Sequence, residues 1–132
     1  MITASCFQLS TPATLESARV IRSDVADAAA AAGARPRVVE DVRLCVGEAV
    51  SNVVVHAYGE EPGTVDVVVE RSESELVVSV VDGGRGMREF ELLGDLGYGL
   101  KIIAKLSKRY VISSAPTSGT RVRMIFSLDA SR

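Results

Sequence analysis

The chain has 132 residues, 47% of them apolar, which suits one domain with a real core and excludes disorder. Fifteen Lys and Arg face 17 Asp and Glu, so the net charge of −2 lacks the cationic excess of a general nucleic-acid binder. Trp is absent, and three Phe and three Tyr make no stacking platform for single strands.

In chain order, Cys6 to Leu9 reads as a first strand. Thr11 and Pro12 are expected to open a helix, since Pro is tolerated in a first turn. Its apolar stripe is Leu15, Ala18, Ile21, Val25, Ala28 and Ala32, with Gly33 as the stop. Pro36 starts a second helix carrying Val38, Val42, Val46, Ala49 and Val53, which ends near Tyr58 and Gly59. The period then changes to two. Thr64 to Glu70 predicts a strand with Val65, Val67 and Val69 inward, paired through a turn at Ser72–Ser74 with Leu76 to Asp82. A glycine-rich stretch, Gly83 to Gly99, leads into a short helix, Leu100 to Lys108. Tyr110 to Ser114 and Thr120 to Leu128 close the chain as strands, with Val122, Met124, Phe126 and Leu128 on one face. The expected fold class is α/β (α+β): a two-layer sandwich whose mixed, mostly antiparallel sheet is covered on one face by helices. No repeat or long linker divides the chain, so residues 1–132 are expected to form a single domain.

No apolar run approaches the roughly 18 residues of a membrane-spanning helix. Met1 to Ser10 lacks the basic and apolar regions of a signal peptide, so a cytoplasmic protein without membrane contact is expected. Cys6 and Cys45 are far apart and in no CxxC pattern, which supports neither a disulfide framework nor a zinc site. Cys45 reads as a small core residue.

Three places carry chemistry. Glu48, Asn52 and His56 are spaced i, i+4, i+8 on the second helix, within roughly 80° of one another at helical pitch. Asp41 and Cys45 fall near the same line. A solvated face accounts for that spacing equally well, but a mid-helix Asn is a poor helix former and needs a reason. Next, Asp82-Gly83-Gly84-Arg85-Gly86 follows a valine-rich strand, where glycines let the backbone approach a ligand closely. A dinucleotide fingerprint is rejected there because no helix opens in Met87 to Leu96. Last, Gly97-Tyr98-Gly99-Leu100 opens the third helix, whose free N–H groups suit an anion, with Lys101 adding positive charge in the first turn.

In this order, and with Ser118-Gly119-Thr120 before the last strand, the motifs resemble the GHKL ATPase superfamily of gyrase and the histidine kinases. Glu48-Ala49-Val50-Ser51-Asn52-Val53-Val54-Val55-His56-Ala57-Tyr58 is similar to the N box of its anti-sigma factor serine/threonine kinases. The resemblance spans residues 12–128 and implies a histidine kinase-like ATPase fold binding ATP and Mg²⁺. It implies Glu48 as general base and Asn52 as Mg²⁺ ligand. It gives Asp82 the adenine amino group, with Gly84 and Gly86 letting the chain pass the base. Gly97, Gly99, Leu100 and Lys101 fall at the phosphates, and Thr120 lies near the adenine. The implied function is an anti-sigma factor that phosphorylates an anti-sigma factor antagonist. The partners are that antagonist and a sigma factor, with no direct nucleic acid. Homodimerisation is typical of such proteins, but no interface signature is visible. The alternative is a nucleotide-gated binding module with little kinase activity. The lid, Met87 to Leu96, is short and has Arg88 but no Lys, a departure that bears on ATP retention. Arg19 and Arg22 on the first helix are candidates for meeting an acidic partner, although a solvated face explains them too.

Overall fold

The computed structural model describes residues 4–58, 61–84, 97–115 and 119–129. The elements run β1 (Ala4–Pro12), α1 (Leu15–Ala31), α2 (Pro36–Asn52), a π-helical turn (Val53–Ala57), β2 (Thr64–Arg71), β3 (Glu75–Asp82), α3 (Gly97–Leu106), β4 (Arg109–Ala115) and β5 (Gly119–Ser127). The strands form one five-stranded sheet in the order β1-β2-β3-β5-β4. Every neighbouring pair among the described residues is antiparallel, so the mixed component of the expected sheet is not seen.

Alternation sorts the two faces of the sheet. Val65, Val67 and Val69 on β2, Leu76, Val78 and Val80 on β3, and Val122, Met124 and Phe126 on β5 are buried toward the helices. Leu128, just past β5, joins the same core. The expected α2 stripe is buried from end to end: Val38, Val42, Val46, Ala49 and Val53. Cys45 is fully buried beside it, as a small core residue should be. The other face bears charge. Arg109, Arg121 and Arg123 line an open groove of about 380 Å³ there with Glu75, Val77, Val111 and Ile125.

Helix starts differ most from the sequence reading. Pro12 does not open α1 but ends β1, opposite Thr64. An edge strand tolerates the missing N–H as readily as a first helical turn does. The helix is capped instead by Thr14, whose Oγ1 accepts from Ser17 N at 3.0 Å. Leu15 is therefore the first helical residue and stands 73% exposed, while Ala26 and Ala29 join Ala18, Ile21 and Val25 inside. The helix α3 begins at Gly97, three residues before the expected Leu100, so Lys101 enters the second turn and not the first. Gly33 ends α1 as expected, at a φ of +97° that favours glycine.

Candidate functional site

The inward column of β3, Leu76, Val78 and Val80, ends in a carboxylate. Asp82 sits between Val65 of β2 and Thr120 of β5 in the sheet register. It is 7% exposed. Its Oδ1 accepts from the N–H of Gly84 at 2.9 Å, and the Thr120 backbone also hydrogen-bonds to it. Burial pushes the Asp82 carboxyl above the usual range, and these two backbone bonds oppose that shift without cancelling it. A buried carboxylate with no ion pair among the described residues, and with acceptor capacity beyond two N–H bonds, suits a ligand that brings its own N–H donor.

The segment after Asp82 lies directly against the π turn that follows α2. A Cβ on Gly84 would collide with the carbonyl oxygen of Ala57, so this close approach requires glycine. Gly119 is the second such place. Its φ is +80°, and a Cβ there would meet the carbonyl oxygen of Asp82. Both glycines therefore let backbone pass within contact of the Asp82 turn. On β5, Thr120 is buried and its hydroxyl lies 3.0 Å from Ser114 Oγ of β4.

Glu48 and Asn52 stand one turn apart at the C-terminal end of α2, both partly buried. Among the described residues neither side chain has a hydrogen bond or ion pair. Their polar atoms remain available to a ligand. Farther back on the same line, Asp41 and Cys45 turn into the protein, so the polar line seen in the sequence is open only at its end. The helix then widens into the π turn at Val53–Ala57. An i→i+5 turn rotates less per residue than an α-helix. Such turns occur frequently at functional sites.

The structure thus brings Asp82 and Gly84 together with the π turn that follows α2 and with Thr120. Leu100 and Lys101 lie on α3, which opens with Gly97 and Gly99 and packs against α2. Gly86, Arg85 and the stretch Met87 to Leu96 lie outside the described residues, as does the side chain of His56. Arg22, a candidate for meeting a partner, is exposed and its stem runs beside α2: a Cβ on Gly47 would come within 2.9 Å of its Cδ. Sequence reading missed Ser114, the partner of Thr120, and Gly119 as a backbone requirement. The Gly after Ser118 was the available signal for the second. Among the described residues no group of three or more His, Cys, Asp or Glu is placed to hold a metal. A hard cation shared with ligand phosphates needs fewer protein donors, and the amide oxygen of Asn52 is of the right type.

Residues 11–126 match the model of the histidine kinase-like ATPase domain. The chain belongs to that family. Its relatives place it in the anti-sigma factor branch of the GHKL superfamily. An anti-sigma F factor of Pasteuria penetrans is 34% identical over 105 residues, covering 70% of each chain. A second, from Clostridium botulinum, is 30% identical over 98 residues, covering 65% of this chain and 68% of the relative. A serine-protein kinase RsbW of Bacillus thuringiensis is 32% identical over 77 residues, covering 58% of this chain and 48% of the relative. The fold matches the solved RsbU and RsbW domains of a Mycobacterium tuberculosis protein with a TM-score of 0.73 at 22% identity. That match covers 96% of this chain and 32% of the solved one, about a third of its length. No helix among the described residues is long and apolar enough to cross a membrane.

Proposed function

We propose that this histidine kinase-like ATPase domain binds ATP with Mg²⁺ and transfers the γ-phosphoryl group to a serine or threonine of an anti-sigma factor antagonist. In this reading it also binds and blocks a sigma factor in the cytoplasm, and two copies pair. Residues 1–132 form one nucleotide-binding domain in this reading, with its motifs in residues 12–128. The observation that supports the reading is the buried Asp82, which has no ion pair among the described residues and whose following turn lies against the π-helical segment after α2.

Each residue has a role that its chemistry permits. Asp82 accepts a hydrogen bond from the adenine amino group, whereas guanine presents an oxygen at that edge and is repelled. Gly84, Gly86 and Thr120 shape the base pocket. The amide oxygen of Asn52 is the protein's donor to Mg²⁺, which when bound neutralises charge on the phosphates. Gly97, Gly99, Leu100 and Lys101 at the start of α3 receive the phosphates with N–H groups and positive charge. Glu48 takes the proton from the attacking hydroxyl as the oxygen–phosphorus bond forms, and ADP leaves with the electron pair of the broken bond.

The test is incubation with γ-labelled ATP and Mg²⁺ alongside candidate antagonist proteins. Label is expected on one of them, reduced about 10²–10⁴-fold by Glu48→Ala and lost with Asn52→Ala. Tight ATP binding with no label on any partner would instead establish the nucleotide-gated module.

A further inference from the structure

Tyr58 follows the π turn, and the proposed chemistry makes no use of it. Its position is nonetheless unusual in what a single oxygen joins. The phenolic hydroxyl accepts from the backbone N–H of Gly83 at 2.9 Å. It also donates to the backbone carbonyl of Thr64 at 2.5 Å. One atom thus ties the end of the α2–π segment to the first residue of β2 and to the turn after β3. The ring is seated as well: a Cβ on Gly63 would run into it.

The polarity of this bridge leaves no alternative arrangement. The Gly83 amide can only donate, the Thr64 carbonyl can only accept, and a phenol has one proton. The proton therefore belongs to the Thr64 bond and a lone pair to Gly83. Gly83 sits between Asp82 and Gly84, and the Gly84 N–H already holds the Asp82 carboxylate. Fixing the amide of Gly83 restrains the same turn at a second point. On the far side, Gly84 rests against the Ala57 carbonyl, one residue before Tyr58. The turn is held by Tyr58 and Ala57 together.

We infer that Tyr58 is a positioning residue that sets base selectivity, by holding the Asp82–Gly84 turn where the Asp82 carboxylate can accept from an adenine amino group and repel a guanine oxygen. The inference rests on the nucleotide reading given above. A loosened turn lets the carboxylate retreat, which weakens its bond to adenine and relieves its repulsion of guanine. Affinity for ATP falls while affinity for GTP holds or rises. A role limited to fold stability would lower both together.

The experiment is direct binding of Mg-ATP and Mg-GTP to the full chain as wild type, Tyr58→Phe and Gly63→Ala, with Tyr110→Phe on β4 as control. Hydrogen exchange at the Gly83 amide is followed without nucleotide. Wild type and Tyr110→Phe should prefer ATP. Tyr58→Phe should lower the ATP-to-GTP preference about tenfold, the size of one lost hydrogen bond, and should speed exchange at Gly83. Gly63→Ala displaces the same ring without touching the hydroxyl and should shift the preference in the same direction, which keeps the test alive if Tyr58→Phe folds poorly. An unchanged preference in both variants, or equal losses for both nucleotides, overturns the role of Tyr58 while leaving the nucleotide reading intact. A wild-type chain that binds no ATP overturns the nucleotide reading itself, and this inference with it.

Discussion

Strand β3 begins and ends with a buried carboxylate, and the two ends are handled in opposite ways. At the start, Glu75 meets two cations: Lys108 Nζ lies 2.8 Å from Oε2, and Arg109 Nη2 lies 3.2 Å from Oε1. The Lys108 ammonium holds the Glu75 carboxyl below its usual range. Burial opposes this, and Arg109 adds to it. At the other end, Asp82 has backbone N–H bonds and, among the described residues, no ion pair, and burial holds its carboxyl above its usual range. Glu75 clasps the β3 and β4 ends of the sheet and has little capacity left for a ligand. Asp82 carries an unfavourable buried charge that an incoming N–H donor relieves. Exposure alone does not separate them, at 8% and 7%. The partners do.

Variants at each end should break that contrast by different amounts. Gly119→Ala should cost the most, about 2–4 kcal/mol in chemical denaturation, because the residue needs a positive φ and the added Cβ meets the Asp82 carbonyl. Asp82→Asn should weaken ATP binding about 10–100-fold in calorimetry, through loss of a charged acceptor. The same variant should melt no lower than wild type without nucleotide, since the isolated charge is gone. Glu75→Gln should reverse that pattern, with stability falling by about 1–2 kcal/mol for a partly screened ion-pair cluster and ATP affinity unchanged.

The smallest effect is in the acid limb of the stability profile, and its sign separates the two groups. The folded-state value of Glu75 is lowered. Its contribution is present above the unfolded value and is lost as pH falls through the folded one. The folded-state value of Asp82 is raised. Its penalty is present above the folded value and is relieved as pH falls through that value toward the unfolded one. Urea melts across the acid range should therefore show a flatter loss for Glu75→Gln and a steeper one for Asp82→Asn, each against wild type.

Much of this was legible in the sequence where the determinants are local. Period-two valines placed β2 and β3, and the α2 stripe placed Val38, Val42 and Val46 correctly but left out the equally buried Val50. Pro12 was misread because the residue alone does not distinguish an edge-strand end from a first helical turn. Thr14, two residues on, was the better cap. Leu15 fitted a helical period but not the point at which packing begins. The chemistry-bearing types, Glu48, Asn52 and Asp82, were visible as residues, but the surroundings of Asp82 were not. Asp82 and Thr120 are neighbours through a long-range strand pairing that no short window contains. Tyr58 was equally hidden, because its two partners come from β2 and from the turn after β3.

The pairing of β3 with β5, and not with β4, has a consequence for how such a chain can diverge. After Asp82 the backbone departs, forms α3 and β4, and returns to the same register point at Thr120. The departing and returning ends are tied to each other across the ladder. Residues added to or deleted from the excursion change the length of a loop closed at its base, at a cost that grows only slowly with size. They leave the spacing of Asp82 and Thr120 untouched. A one-residue insertion inside β3 or β5, by contrast, would turn every later side chain of that strand to the other face. Descendants of this fold can therefore remodel what lies over the site freely, while the two strands beneath it keep their length.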